Sequence, residues 1–254
     1  MKKVLIALLL LPLLTSAQDR PQEPLFMNVM ITPHSGHVND FESGLAAHNK
    51  KYHAEGANAV RVYWIASGKN SGKYIWSMGP TAWGAMDEAN NTDEAHTNDW
   101  NTNVAPHAET TMETTYWKGD SKHSNFTRDF ELKNLSVFYL DMKRFKEQSF
   151  MGILDKVTKV FKEKDGDEQW GVYFNELRSP KYQDMVWINF FDSMSWMGEE
   201  DKFPQWYEEV HGEGTFMGFL KEFEAATNGD YQELWTYRSD LSGLSGQVVI
   251  PSGE

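Results

Sequence analysis

Hydrophobic and polar positions along this chain switch between a period of two and a period near 3.6, in the same order twice. FMNVMI, from Phe26, reads as a strand, and TPHSGH follows as a turn. Phe41, Leu45, His48 and Tyr52 then recur at steps of three or four, which predicts a helix with Asp40 placed as its N-cap. ANAVRVYWIAS and KYIWSMGPTAW are two strands about the turn GKNSG. DEAHTNDWNTNVAPHAE is a poorer helix and METTYWKGD a further strand. The second pass reads LSVFYLDM, a helix through Phe150, Ile153, Leu154, Val157, Val160 and Phe161 with Ser149 as its N-cap, EQWGVYFNELR, the turn SPKYQ and DMVWINFF. A helical stretch FPQWYEEVHGEGTFMGFLKEFEAAT and a strand YQELWTYRS complete it.

Each pass is therefore strand, helix, strand, strand, helix, strand, a split βαβ unit of the ferredoxin-like kind. The parallel holds residue by residue: Phe41 answers Phe150, Trp76 answers Trp187, Trp83 answers Trp196, and Val60, Val62 and Trp64 answer Trp170, Val172 and Phe174. VRVYWIA and MVWINFF are apolar on both alternating faces, so both faces of each sheet must be covered. Helices cover one face, and a second sheet must cover the other.

In element order and aromatic placement the chain resembles the dimeric α/β-barrel superfamily in a single-chain, duplicated form, similar to antibiotic-biosynthesis-monooxygenase-like and NIPSNAP-like proteins. The expected fold class is α+β, with two tandem ferredoxin-like βαββαβ units packed sheet to sheet as an intramolecular α/β barrel. The halves are expected at 25–120 and 135–240, joined by a polar linker at 121–134. A Gly/Ser-rich tail at 241–254 is expected to be loosely attached, with Val248 to Ile250 able to dock. The resemblance implies a ligand cavity between helices and sheet. Some members are cofactor-free oxygenases and others bind haem, but neither pattern matches here position by position, so no catalytic residue is carried over.

The first residues, MKKVLIALLLLPLLTSAQ, have two lysines, an apolar run and small residues at Thr15-Ser16-Ala17. This is the pattern of a secretory signal peptide at 1–17, cleaved after Ala17, and it points to a secreted or periplasmic location. The 254 residues contain no cysteine, so the folded domain must be held by its core without disulfides. Lys+Arg number 24 against 37 Asp+Glu. Such an acidic surface disfavours nucleic acid as a partner, and no further apolar run calls for a membrane. A homo-oligomer is compatible with all of this.

Aromatic residues make up 14% of the chain, with ten tryptophans, which is enough to fill a core, line an apolar pocket, or do both. On the pocket reading, Trp64, Trp76, His48, Trp187 and Phe174 are the candidate ligand-binding residues. His48 aligns with Val157 of the second half, so it is expected to face the sheet. There it is either a hydrogen-bonded core histidine or the weak candidate for an acid–base group in a cavity. His34 and His37 on the first turn are weak candidates for a metal site. His48 and His53 lie five residues apart, about 140° around an ideal helix, which separates them from any shared ion. There is no GxSxG elbow, HExxH motif, phosphate-binding Gly loop or EF-hand. Asp165-Gly-Asp167-Glu168, Asp87-Glu88 and the Glu208-Glu209-His211 group read as solvated surface charge.

The residues thus support a protein that binds a small apolar or aromatic molecule without a cofactor. By resemblance, any activity would be cofactor-free oxygenase or isomerase chemistry. Two alternatives stand beside it: a non-catalytic interaction module whose aromatics are only core, and a haem- or metal-binding protein using His34, His37 or His48.

Overall fold

The computed structural model describes residues 23–89, 93–178 and 183–250; residues 1–17, where a signal peptide is expected, lie outside them. The first half runs β1 (Leu25–Ile31), α1 (Val38–Tyr52), β2 (Val60–Ser67), β3 (Tyr74–Thr81), α2 (Ala85–Ala89), α3 (Glu94–Asn103) and β4 (Glu113–Gly119). A short strand β5 (Phe130–Glu131) precedes the second half. That half is β6 (Asn134–Met142), α4 (Glu147–Lys164), β7 (Gln169–Asn175), β8 (Met185–Phe191), α5 (Phe203–His211), α6 (Phe216–Ala226) and β9 (Thr227–Tyr237), and β10 (Gln247–Val248) ends the described chain.

Within each half the strands pair antiparallel in ferredoxin-like order, β4-β1-β3-β2 and β9-β6-β8-β7. The two sheets then join at both edges, β2 to β9 and β4 to β7, which closes an eight-stranded barrel among the described residues. Closure removes the free edges that two open four-stranded sheets would expose. The expected α+β architecture of two βαββαβ units forming an intramolecular barrel is thus the one observed.

Strand alternation explains the two-sided apolarity. Val60, Val62, Tyr74, Trp76 and Met78 point outward and pack with Phe41 and Leu45 of α1. Their neighbours Tyr63, Ile65 and Ile75 point inward and meet Val137, Tyr139, Val186 and Trp235 of the other half in the barrel interior. On the outer face of the second half, Phe150, Ile153, Trp170 and Trp187 pack with Tyr207 of α5 and Phe219 of α6. The helical stretch expected after Phe203 is two helices, broken at Gly212, whose φ of 111° suits glycine.

Two local expectations are corrected, the helix N-caps and the loose tail, and the polar linker gains a structure of its own. The N-cap positions are His37 and Lys146, and Asp40 and Ser149 fall within the first turns. The linker is ordered and partly buried: His123 is 1% exposed, and Asn125 donates to the Gly166 and Glu168 carbonyls. The segment after Arg238 is not loose over its described residues. Leu241 is buried, Asn49 donates to its carbonyl at 2.8 Å, Arg61 donates to the Ser245 and Gln247 carbonyls, and β10 pairs with β5. No described helix is long and apolar enough to cross a membrane.

Candidate functional site

The two halves treat the space between helices and sheet differently. In the second half, Phe203, Phe216, Phe219 and Phe223 from α5 and α6 close over Phe161 of α4, and a wholly apolar cavity of about 340 Å³ remains. In the first half the corresponding cover is α3, whose exposed and half-buried face carries histidine, aspartate and tryptophan in place of phenylalanines. A cavity of about 420 Å³ lies beneath it. Its floor is Met27, Val29, Trp76 and Met78 of the sheet. Met86 and Met112 line its sides, and His48, His53, His96 and Trp100 lie along its helical wall.

Local chain geometry brings the three histidines together. His48 is on α1 at a core-facing position and is 1% exposed. His53 is the C-cap of α1, with φ −130° and ψ 26°; its N–H still bonds to the Asn49 carbonyl, but the chain has left the helix. The angular separation of an ideal helix therefore does not apply, and the expectation that His48 and His53 point apart is wrong for that reason. In the second half α4 continues to Lys164 and makes the same kind of capping turn later, at Asp165, so no histidine is carried there. The tail seats this turn from behind: a Cβ at Gly243 would lie 2.0 Å from the His53 carbonyl oxygen, so only glycine fits.

α3 supplies the rest. Asp93 caps it by accepting from the His96 N–H at 2.6 Å. His96, Asp99 and Trp100 then follow at i, i+3 and i+4, on one face. Gly44 permits the approach of α1 to α3, since a Cβ there would lie 1.9 Å from the Asn103 carbonyl oxygen. His48 Nε2 is 3.1 Å from His96 Nε2, and His53 Nε2 is 3.2 Å from the same atom. The outer nitrogens are also engaged: His48 Nδ1 is 2.7 Å from Asp99 Oδ2, and His53 Nδ1 donates to the Asn58 carbonyl at 2.7 Å. Trp100 and Trp76 stand edge-on to His48 and His53, with ring centroids 5.3 and 5.0 Å away.

Burial depresses the His48 pKa despite the opposing hydrogen bond that the ring donates to Asp99. Burial likewise lowers His53 to about 4, against the hydrogen bond to Asn58. Both rings therefore favour the neutral form around pH 7. His48 in turn holds the Asp99 carboxyl below its ordinary range by hydrogen bonding. The side-chain oxygen of Asn58, at the cavity wall, is buried and has no hydrogen-bond partner.

Of the residues singled out from sequence, His48 and Trp76 line this cavity. Trp187 lines the apolar cavity of the second half, and Phe174 lines a groove beside α4. Trp64 is 37% exposed on β2, away from both cavities. His37 comes together with Asp40 and His107 in a second, mostly exposed cluster that does not include His34. His96, Asp99 and Trp100 were not singled out. The signal available for them was the His-x-x-Asp-Trp spacing on a helix with too few apolar residues to need burial for packing alone.

No family model matches this sequence, and no curated protein matches it. Solved structures do. A candidate monooxygenase from Fusobacterium nucleatum superposes with a TM-score of 0.55 at 9% identity, covering 86% of this chain and 94% of its own. A candidate monooxygenase from Lactobacillus acidophilus gives 0.52 at 11%, covering 90% and 100%. A mutant chlorite dismutase from Candidatus Nitrospira defluvii gives 0.51 at 6%, covering 86% and 94%. At such identities the likeness establishes the fold.

Proposed function

From a chain with the fold of the dimeric α/β-barrel superfamily, both units on one polypeptide, we propose that the protein binds a small, mainly apolar molecule in its first-half cavity. The observation that carries this reading is the cavity itself: about 420 Å³, floored by methionine, valine and tryptophan, with its polar groups gathered on one wall. That distribution is the usual one for a ligand site, where apolar surface gives affinity and a few convergent polar groups fix orientation. The unpartnered Asn58 oxygen would accept a hydrogen bond from a ligand hydroxyl or amine, and the imidazoles would lie against the same end. An aromatic alcohol or similar compound meets both demands.

Oxygenase chemistry is the activity class that best suits this reading. Its support is the fold shared with candidate monooxygenases, together with neutral imidazoles placed at the ligand's polar end. Export is part of the same proposal and rests on the leader pattern of residues 1–17.

Binding of a naphthol-type fluorophore to metal-free protein tests the pocket. We expect one molecule per chain, lost when Thr114→Trp fills the first-half cavity and retained when Val157→Trp fills the second-half one. Binding that survives Thr114→Trp, or that disappears only with Val157→Trp, would place the ligand elsewhere.

A further inference from the structure

Hydrogen bonding fixes which nitrogen of each buried imidazole carries the proton. The Asn58 carbonyl only accepts, so His53 Nδ1 must be the donor, and in the neutral ring Nε2 is then a bare lone pair. An ionised Asp99 imposes the same tautomer on His48. Both lone pairs meet at His96 Nε2, 3.1 and 3.2 Å away. That nitrogen carries one proton at most, and one N–H cannot satisfy two acceptors with good geometry. A cation among the three nitrogens removes the conflict.

We infer that His48, His53 and His96 form a three-histidine site for a divalent transition-metal ion of the zinc type, bound through their Nε2 atoms and with an open coordination position facing the first-half cavity. The spacings agree with this. Zinc–imidazole bonds of about 2.0–2.1 Å place tetrahedral ligand nitrogens roughly 3.3 Å apart, and all three ligand atoms lie within 4.8 Å of one another. The outer contacts also agree: metal-binding histidines commonly donate their second N–H to a carboxylate or a backbone carbonyl, and Asp99 and Asn58 provide one of each. An all-imidazole donor set suits zinc, copper, iron or nickel, and the absence of cysteine leaves no thiolate to bias the choice. Three protein ligands with a fourth position open is the arrangement of reactive rather than structural zinc sites. Use of that fourth position by an organic ligand rests on the pocket reading above, whereas the metal site itself does not.

The test is a titration of chelator-stripped protein with cobalt(II), followed by its visible absorption and by calorimetry, with zinc in competition and no organic ligand present. One ion per chain is expected. His96→Ala, on the most accessible of the three positions, should abolish detectable binding. Asp99→Asn should weaken binding about 10- to 100-fold. His37→Ala, in the exposed second cluster, should leave it unchanged. Circular dichroism of each variant separates loss of ligand from loss of fold, and the wild-type stoichiometry depends on no variant. Failure of the wild-type protein to take up an ion, retention of binding in folded His96→Ala, or its loss in His37→Ala would each overturn the assignment. Fluorophore binding by metal-free protein, read separately, stands or falls without affecting this result.

Discussion

His123 shows how much a single residue can hold in this fold. It is 1% exposed in what the sequence presents as a polar linker, and its ring lies between Asp120 and Asp155. Burial opposes charging the ring, but the two carboxylates outweigh it and the pKa is raised above 6.5. The sign of the pH effect follows by linkage. A histidine whose folded pKa is raised binds its proton more tightly in the folded state, so its stabilisation is complete below the unfolded value. It is lost as pH rises through the folded value. Urea unfolding of wild type and His123→Gln should therefore differ most below pH 6.5, with the gap narrowing as pH rises. A gap independent of pH would mean that the ring acts by packing alone.

At this scale the sequence was only partly readable. His48 was identifiable because it occupies a core-facing position where the other half has Val157. The place of His53 depends on where α1 ends, which an ideal-helix angle does not capture, and distant residues such as Gly243 pack against the capping turn. His96 and Asp99 carry little signal in the sequence because a helix with a weak apolar stripe gives no reason to expect any of its faces to be buried.

Among the elements, the pairing of α1 with α3 decides whether a site exists. Gly44 sits inside α1, where replacing glycine by alanine ordinarily stabilises a helix by about 1 kcal/mol. Here the added methyl would lie 1.9 Å from the Asn103 carbonyl, a backbone atom that cannot rotate away. Steric exclusion wins over propensity, so Gly44→Ala is expected to lower the melting temperature and to weaken metal binding by moving α3. A raised melting temperature would show that α3 adjusts freely. Strands and the long helices were legible because their periodicity is strong. The split of the second-half helical stretch and the docking of the tail were not. The split turns on the local conformation of Gly212, and the tail depends on long-range partners: the Asn49 amide that holds the Leu241 carbonyl and the Arg61 guanidinium that holds those of Ser245 and Gln247.

The whole molecule is a duplicated unit whose halves differ in how their helices cover the barrel. Two-sided apolar strands required two covered faces, and closing the barrel supplies one of them jointly to both halves. The outer faces are then free to differ. The second half keeps a wholly apolar cavity under the phenylalanines of α5 and α6, while the cavity of the first half gathers imidazoles on its wall. This asymmetry was foreshadowed by the His48–Val157 mismatch, but its meaning needed the placement of α3. The claim that the first half holds a metal-centred pocket is tested most directly by diffraction at the zinc absorption edge, from crystals grown with zinc. The account predicts an anomalous peak bonded to Nε2 of His48, His53 and His96 at about 2.0–2.1 Å. No peak there, or one only beside His37 and His107, would contradict it.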